Sequence, residues 1–490
     1  MGRFSNVLRR GGFPAFLCTQ FLGALNDNIY KTAVSLVAVG IAAGNEGSLI
    51  LSAAQGLFIL PFILFSGYAG HAADSYSKRT VLIATKAFEV LAMTLAVVAL
   101  AQGSIEMMLL VLFLMATQSA FFGPAKYGIL PEIFGDRDLS RANAVLQMTT
   151  FVAIIIGTAL AGILLEAWPG RPWMLGVVLV GVAVFGSASS LGITRVPAPT
   201  VRRRFRRNPW AEITIGLKHL WNARPLWLTV VAMAYFWFVG ALMQIAVILF
   251  GTESLGGDEG EIGILLAFFG VGIGVGSMAV GRLSGDKVEI GLVPLGALGM
   301  SLFSVLLSMS APSYELSAAS LLALGFSGGF YSVPLNAYLQ QKADENERGR
   351  LLAAAGFLSN IGVLLAAGAS WLLSYQLGFS PAEVILTVGV LSLLATAYIL
   401  TVVPDFLIRF LLWLFTHTIY RIRIEGGQHV PFRGPALLVC NHISFMDGML
   451  VGACVQRFIR FLVYRPYFEK KVIHWFLTLM RAIPVVTETE

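Results

Sequence analysis

Apolar runs of bilayer-spanning size recur along this chain, beginning near Phe13, Leu49, Val81, Met107, Val145, Trp173, Leu226, Ile262, Ile290, Leu316, Leu351 and Val384. A helix needs about 20 predominantly apolar residues to cross the hydrocarbon core, so the runs predict twelve spanning helices. No other feature constrains the fold as strongly. Inside lipid every backbone N–H and C=O must find its partner within the protein, and a helix does this within its own segment. Composition removes the soluble alternative: 57% of residues are hydrophobic, 12% are charged, and mean hydropathy is +0.78. That leaves too little polar surface to cover a water-soluble protein of 490 residues. The start, MGRFSNVLRR, has no small-residue cleavage site after it and reads as a cytoplasmic tip leading into the first helix. Cys18, Cys440 and Cys454 make no disulfide framework, and no metal or cofactor pattern is expected.

The net charge of +7 raises the question of nucleic acid, and the positions of the basic residues answer it. Numbering the connections alternately, one set holds Arg3, Arg9, Arg10, Lys78, Arg79, Arg137, Arg141, the run RRRFRR at 202–207, Lys218, Arg224, Arg282, Lys287, Lys342, Arg348 and Arg350. The other set holds only Arg171. Basic residues accumulate on the cytoplasmic side of membrane proteins, so the pattern marks topology: both termini and the central loop are expected in the cytoplasm, with membrane lipids and not nucleic acid as partners. The run RRRFRR reads as an orientation signal and leaflet anchor.

The two groups of six helices echo each other. GHAADSYSKR begins at Gly70 and GRLSGDK at Gly281, 211 residues later; Pro124 and Pro334, in the fourth and tenth runs, lie 210 apart. Two six-helix repeats related by an axis along the membrane normal are the architecture of the major facilitator superfamily, and GHAADSYSKR resembles its cytoplasmic signature. In the Gly281 copy the aspartate, Asp286, is displaced by one. Asp74, at a helix end, can meet a neighbouring helix terminus or an arginine and latch one state. Lys78, Arg79, Glu132 and Arg141 are grouped with it as gating candidates.

Ionisable side chains at membrane depth are costly and point to a pairing or a pathway. The first helix carries Asn26, Asp27, Asn28 and Lys31 within little more than a turn; the fourth carries Lys126 and Tyr127 behind Pro124; the seventh carries Gln244. Asp27 and Lys126 are placed to pair across facing helices, with asparagine amides adding hydrogen bonds. Lys31 and Lys86 are expected to extend to an interface. FLGALNDNIYK and FFGPAKYGILPE closely resemble the lysophospholipid transporters of the superfamily, over roughly residues 10 to 405. That resemblance implies a flippase moving lysophospholipid, chiefly lysophosphatidylethanolamine, from the outer to the inner leaflet of a bacterial inner membrane. Asp27 would meet the ammonium of the head group, and Lys126 with Tyr127 and Gln244 the phosphate; Asn26 and Asn28 complete the candidate site. A closed Asp27–Lys126 pair that serves only packing or gating is the alternative.

After Asp405 the pattern changes. FLIRFLLWLFTHTIY reads as an interfacial helix carrying Arg409 and His417, YRIRIEG as a strand, GQHVPFRGP as a turn and ALLVC as a short buried strand. His442 and Asp447 follow as H-x-x-x-x-D, and NHISFMDG after such a strand resembles the first block of the glycerolipid acyltransferases. In that family the histidine is the general base on the glycerol hydroxyl and the aspartate orients the imidazole, as in other base and orienter pairs. The acyl donor is a thioester of acyl carrier protein or coenzyme A. His429 and His474 have no such partner in the sequence and read as structural. The later Phe-Pro-Glu-Gly block of the family is missing before Glu490. The expectation is therefore a piece of a longer fusion, unable to catalyse acyl transfer by itself, whose remainder completes the acyltransferase and adds an acyl carrier protein synthetase as in related fusions.

The expected fold class is an all-α membrane protein of the major facilitator type followed by an incomplete α/β acyltransferase domain. The expected divisions are an N-terminal half at 1–200, a basic linker at 201–225, a C-terminal half at 226–405 and the interfacial helix with the truncated domain at 406–490. Two other functions compete with the flippase: a proton-coupled drug or metabolite antiporter with Asp27 as the proton site, and a membrane anchor for the acyltransferase.

Overall fold

The computed structural model describes residues 6–41, 45–197, 208–285, 288–402, 404–419, 422, 430, 435–441, 443–444, 446–455 and 459–486. The basic run at 202–207, Asp286, Lys287, the YRIRIEG segment apart from Ile422, His429 and His442 lie outside them.

Among the described residues the first half is built from α1 (Phe13–Ile41), a bent pair α2 (Asn45–Leu64) and α3 (Ser66–Ser75), α4 (Lys78–Gln102), α5 (Ile105–Gly135), α6 (Asp138–Ala167) and α7 (Trp173–Leu191). An amphipathic linker helix, α8 (Pro209–Asn222), leads to the second half: α9 (Arg224–Leu249), α10 (Glu259–Leu283), α11 (Leu292–Ser308), α12 (Tyr314–Lys342), α13 (Arg348–Ser370) and α14 (Pro381–Val402). Among the described residues nine helices are long and apolar enough to cross a membrane, ten with the bent pair counted as one span. Helix α1, 29 residues long, and the shorter α11 take the two remaining positions of the expected twelve.

Local chemistry sets the ends of these helices. Ser104 and Ser313 cap α5 and α12 by accepting from Met107 N and Leu316 N, and Asp258 with Glu261 forms a reciprocal capping box at α10. Gly135, at φ +64°, breaks the chain between α5 and α6, a backbone conformation in which a Cβ is penalised. The last turns of α9 and α13 widen into π-helix at Phe250–Ser254 and Trp371–Gln376.

With lipid outside, helix association rests on close fit and not on hydrophobic expulsion, so small residues mark the tightest contacts. On α10, Gly272 and Gly276 lie one turn apart against the backbone of Leu322 and Phe326 of α12, while Gly325 and Gly329 return the fit toward Phe269 and Ser277. Between the halves, α6 packs on α10, with Gly270 against Ile155 and Gly274 against Met148. Helix α3 packs on α13: a Cβ at Gly70 would lie 2.8 Å from Ala353 Cβ and 3.1 Å from Arg350 Cα. Each half has an apolar core, one around Met93, Leu112 and Leu179 and one around Leu242, Phe250 and Tyr331, and a smaller cluster of Ala144 with Val280, Leu292 and Val333 joins them.

The tail follows the expected helix with α15 (Pro404–Ile419), then α16 (Met446–Cys454) and a βαβ unit, β1 (Leu462–Tyr464), α17 (Arg465–Phe468), α18 (Lys471–Leu479) and β2 (Ile483–Val485). Strands β1 and β2 pair in parallel, Leu462 opposite Ile483 and Tyr464 opposite Val485. A parallel pair needs a crossover connection, here supplied by helices. The expected buried strand ALLVC has no strand assignment or buried face among the described residues, with Leu437 84% and Val439 82% exposed. A strand is defined by its ladder, and apolar composition supplies no partner.

Candidate functional site: a buried polar cluster and a latch between the halves

Asp27 lies midway along α1, fourteen residues from either end. Its side chain is half-buried. Oδ2 accepts the Ser119 hydroxyl of α5 at 2.5 Å, and Oδ1 is buried with no hydrogen-bond partner among the described residues. The Asp27–Lys126 ion pair anticipated from the sequence does not form. Lys126, half-buried on α5, directs its ammonium over the ring of Tyr127, 5.1 Å from the centroid. Asn28 is turned back on its own helix, donating to Ala24 O at 2.7 Å, so its amide is committed to the backbone. Gln244 is exposed on α9, a helix that packs mainly on α8, α12, α13 and α14 and so is not brought to this cluster.

The ion pair that does form was not legible from the motifs. Lys86 and Glu89 of α4 pair at 2.5 Å, both side chains 1% exposed. Lys86 was expected to reach an interface. It stays inside because Glu89, one turn along, compensates its charge and two amides complete the carboxylate's shell. Asn26 donates to Glu89 Oε1 at 3.0 Å and Gln118 to Oε2 at 3.1 Å. Ser119 Oγ also lies 2.9 Å from Gln118 Oε1, so a continuous polar chain joins Lys86 to Asp27 across α4, α5 and α1. A lysine and a glutamate three apart within an apolar run was the available signal. Lys31 lies one turn beyond Asp27 with its ammonium 5.0 Å from the Phe58 ring centre.

Toward the face where the basic connections gather, the gating candidates meet. Asp74, 1% exposed at the end of α3, accepts from Gly349 N at 2.6 Å and Arg350 N at 3.0 Å. These are backbone donors of the first turn of α13, which has no capping side chain of its own. A carboxylate in one half thus caps a helix in the other, where the N–H groups and the helix dipole both favour negative charge. Arg350 pairs with Glu212 of the linker helix at 2.8 Å, and His219 of the same helix meets Glu347 at 2.5 Å. Asn143 and Gln340 exchange amide hydrogen bonds at 2.9 Å in each direction across the halves. Lys78 is ion-paired with Glu132, joining α4 to α5. Arg79 donates to Leu191 O, the last residue of α7, and to Ile193 O just beyond it, and Arg141 pairs with Asp138 on its own helix. Asp74 and its glycine neighbours therefore bridge the halves, while these contacts of Lys78, Arg79 and Glu132 tie helices within the first and the Arg141–Asp138 pair lies along α6.

In the tail, Asp447 occupies the first turn of α16, and its Oδ2 accepts from Ile443 N at 2.6 Å and Ser444 N at 2.7 Å, fixing the turn that carries the motif. His474 places Nδ1 2.9 Å from Phe468 O, with the Phe468 ring edge-on, a structural setting.

Two six-helix halves joined by a linker helix, with polar groups enclosed in the first and a latch between them, define a multi-pass membrane transporter architecture. Residues 16–367 match the Major Facilitator Superfamily, and the chain belongs to it; residues 421–490 match the Acyltransferase family. The chain is 30% identical over 369 residues to the lysophospholipid transporter LplT of Cronobacter sakazakii, covering 73% of this chain and 87% of that protein. It is 27% identical over 396 residues to LplT of Klebsiella pneumoniae, covering 79% and 94%. Among solved structures it is similar to the Escherichia coli fucose:proton symporter FucP, with a TM-score of 0.60 at 16% identity over 79% of this chain and 98% of that one. A bacterial homologue of the iron transporter ferroportin, in an outward-facing state, gives 0.61 at 14% identity over 79% and 98%. At such identities the solved structures speak to the fold alone.

Proposed function

We propose that this chain is a lysophospholipid flippase of the bacterial inner membrane, with both termini cytoplasmic, carrying lysophosphatidylethanolamine and related lysolipids from the outer to the inner leaflet for reacylation. The observation that carries the reading is the Asp27 carboxylate: mid-helix, held by Ser119 through one oxygen and offering the other, with the Lys126 ammonium on the facing helix free of any ion pair among the described residues. A zwitterionic head group supplies the two missing charges, its ammonium to Asp27 and its phosphate to Lys126 and Tyr127, and the single acyl chain can stay against apolar helix faces or lipid. Asn26 acts through Glu89, Asn28 shapes the first helix, and Gln244 would reach the head group only when the second half approaches. The names of the relatives favour the same cargo.

The acyltransferase segment supports reacylation as the fate of the cargo. With the basic face in the cytoplasm, Asp447 and His442 belong to a module attached where a lysolipid would arrive, and acyl carrier protein or acyl-coenzyme A would supply the acyl group to the complete domain.

The test is reconstitution of the purified chain in liposomes with labelled lysophosphatidylethanolamine, scoring inward movement with and without a protonophore. Flipping by the wild type, insensitive to the protonophore and lost in Asp27→Asn and Lys126→Ala, is expected. Correctly inserted protein that moves no lipid would favour the anchor function, and protonophore-sensitive transport would favour the antiporter.

A further inference from the structure

The Lys86–Glu89 pair has no part in the head-group contacts above, yet its ammonium lies beside them. Lys86 Nζ packs against Gly23, one turn before Asp27 on α1, and is 3.5 Å from where a Cβ at Gly186 of α7 would stand; the Phe122 ring centre is 5.5 Å away. Glycine at both positions leaves the room this ammonium occupies. One helical turn, about 5.4 Å, therefore separates the lysine from the level of Asp27, well within reach of a four-carbon stem that can change rotamer. A fully enclosed ammonium is costly without a counter-charge. Glu89 holds it, at 2.5 Å, and is itself fixed by Asn26 and Gln118.

We propose that Glu89 is a positioning residue for head-group selection: by retaining the Lys86 ammonium it keeps Asp27 open to a cationic head group. The inference rests on the reading of Asp27 as the ammonium site. Without the Glu89 charge, Asp27, one turn from Gly23 on α1, is a carboxylate that the Lys86 stem can reach, and the protein's own ammonium then competes with that of the lipid. A lysolipid whose head group has no cation loses nothing by that competition, so the pair governs preference between ammonium-bearing and cation-free head groups. Ser119, which also contacts Gln118, holds Asp27 Oδ2 and leaves the buried Oδ1 as the oxygen without a partner among the described residues.

The experiment measures transport of lysophosphatidylethanolamine and lysophosphatidylglycerol by the whole chain in liposomes, for the wild type, Glu89→Gln, Lys86→Met/Glu89→Gln and Asp27→Asn. Glu89→Gln is expected to raise KM for the ethanolamine lipid by about tenfold, the factor set by about 1.4 kcal/mol of competing attraction, with little change for the glycerol lipid. Removing both charges is expected to restore the wild-type preference, because no competing ammonium remains. Equal losses for both lipids, an unchanged KM in Glu89→Gln, or a double variant that stays impaired would each overturn the proposal. If Glu89→Gln does not fold, the double variant decides alone: keeping the ethanolamine preference supports the inference and losing it refutes it. Asp27→Asn separates the two layers. Unchanged ethanolamine-lipid transport there sinks the site reading itself, whereas loss there with no effect of Glu89→Gln sinks only the role of the pair.

Discussion

Replacing Asp74 by alanine tests the latch directly. The substitution removes the acceptor of two backbone N–H groups, at 2.6 and 3.0 Å, from the start of α13, at a position 1% exposed in the packed halves. A capping side chain is worth about 0.5–2 kcal/mol, and a carboxylate at a partly buried helix N-terminus up to about 2 kcal/mol. Because donor and acceptor lie in different halves, this energy belongs to one conformation only, and the substitution biases the equilibrium against it by about 2–3 kcal/mol. At about 1.4 kcal/mol per tenfold, the ratio of separated to joined halves should rise by roughly 30- to 140-fold at this face. Spin labels on Tyr76 and Glu345, both exposed on the turns that carry the latch, report the distance by double electron–electron resonance once the native cysteines are replaced. The wild type should give mainly a short distance and Asp74→Ala a large long-distance component. Asp74→Asn, which keeps an acceptor oxygen but loses the charge, should fall between. Identical distance distributions in all three proteins would refute the reasoning, since a cap shared between halves cannot be removed without weakening their contact.

Four further outcomes follow from the same geometry. Gly70→Val should separate the same face, because its Cβ would already lie 2.8 Å from Ala353 Cβ and added methyl groups in a packed contact cost about 1–3 kcal/mol; the same labels check it. Arg350→Ala leaves Glu212, 4% exposed, without its guanidinium, and should speed amide hydrogen exchange across Pro209–Asn222. Asn143→Leu strands the Gln340 amide, a loss of about 1–3 kcal/mol, visible as a lower melting temperature in detergent. Asp447→Ala should leave lysolipid flipping by this chain unchanged, since Asp447 contacts the 443–444 turn of the tail; lost flipping would contradict a transporter that works independently of the acyltransferase segment.

Much of the architecture was readable without coordinates because bilayer thickness acts on short stretches of sequence. Apolar runs of fixed length, basic residues on alternate connections and two repeats offset by 210 and 211 residues are local quantities, and together they led to the major facilitator fold and singled out Asp74, which accepts from two backbone N–H groups of the other half. The acyltransferase motif was equally legible, as a local string. What the sequence by itself could not determine is which charges meet. Asp27 and Lys126 are opposite in sign and lie on facing helices, yet each takes another neighbour, Ser119 and the Tyr127 ring. Lys86 has its counter-charge one turn along its own helix, and it is enclosed because the amides of Asn26 and Gln118 arrive from two other helices to complete the shell of Glu89. The energy of a buried charge depends on distances of a few ångströms between groups many residues apart, and rotation of one helix by a fraction of a turn changes every such partner. Lipid and chain geometry determined the spans; only the packing of α1, α4 and α5 decided that Glu89 is paired on both oxygens while Asp27 keeps one oxygen without a hydrogen-bond partner among the described residues.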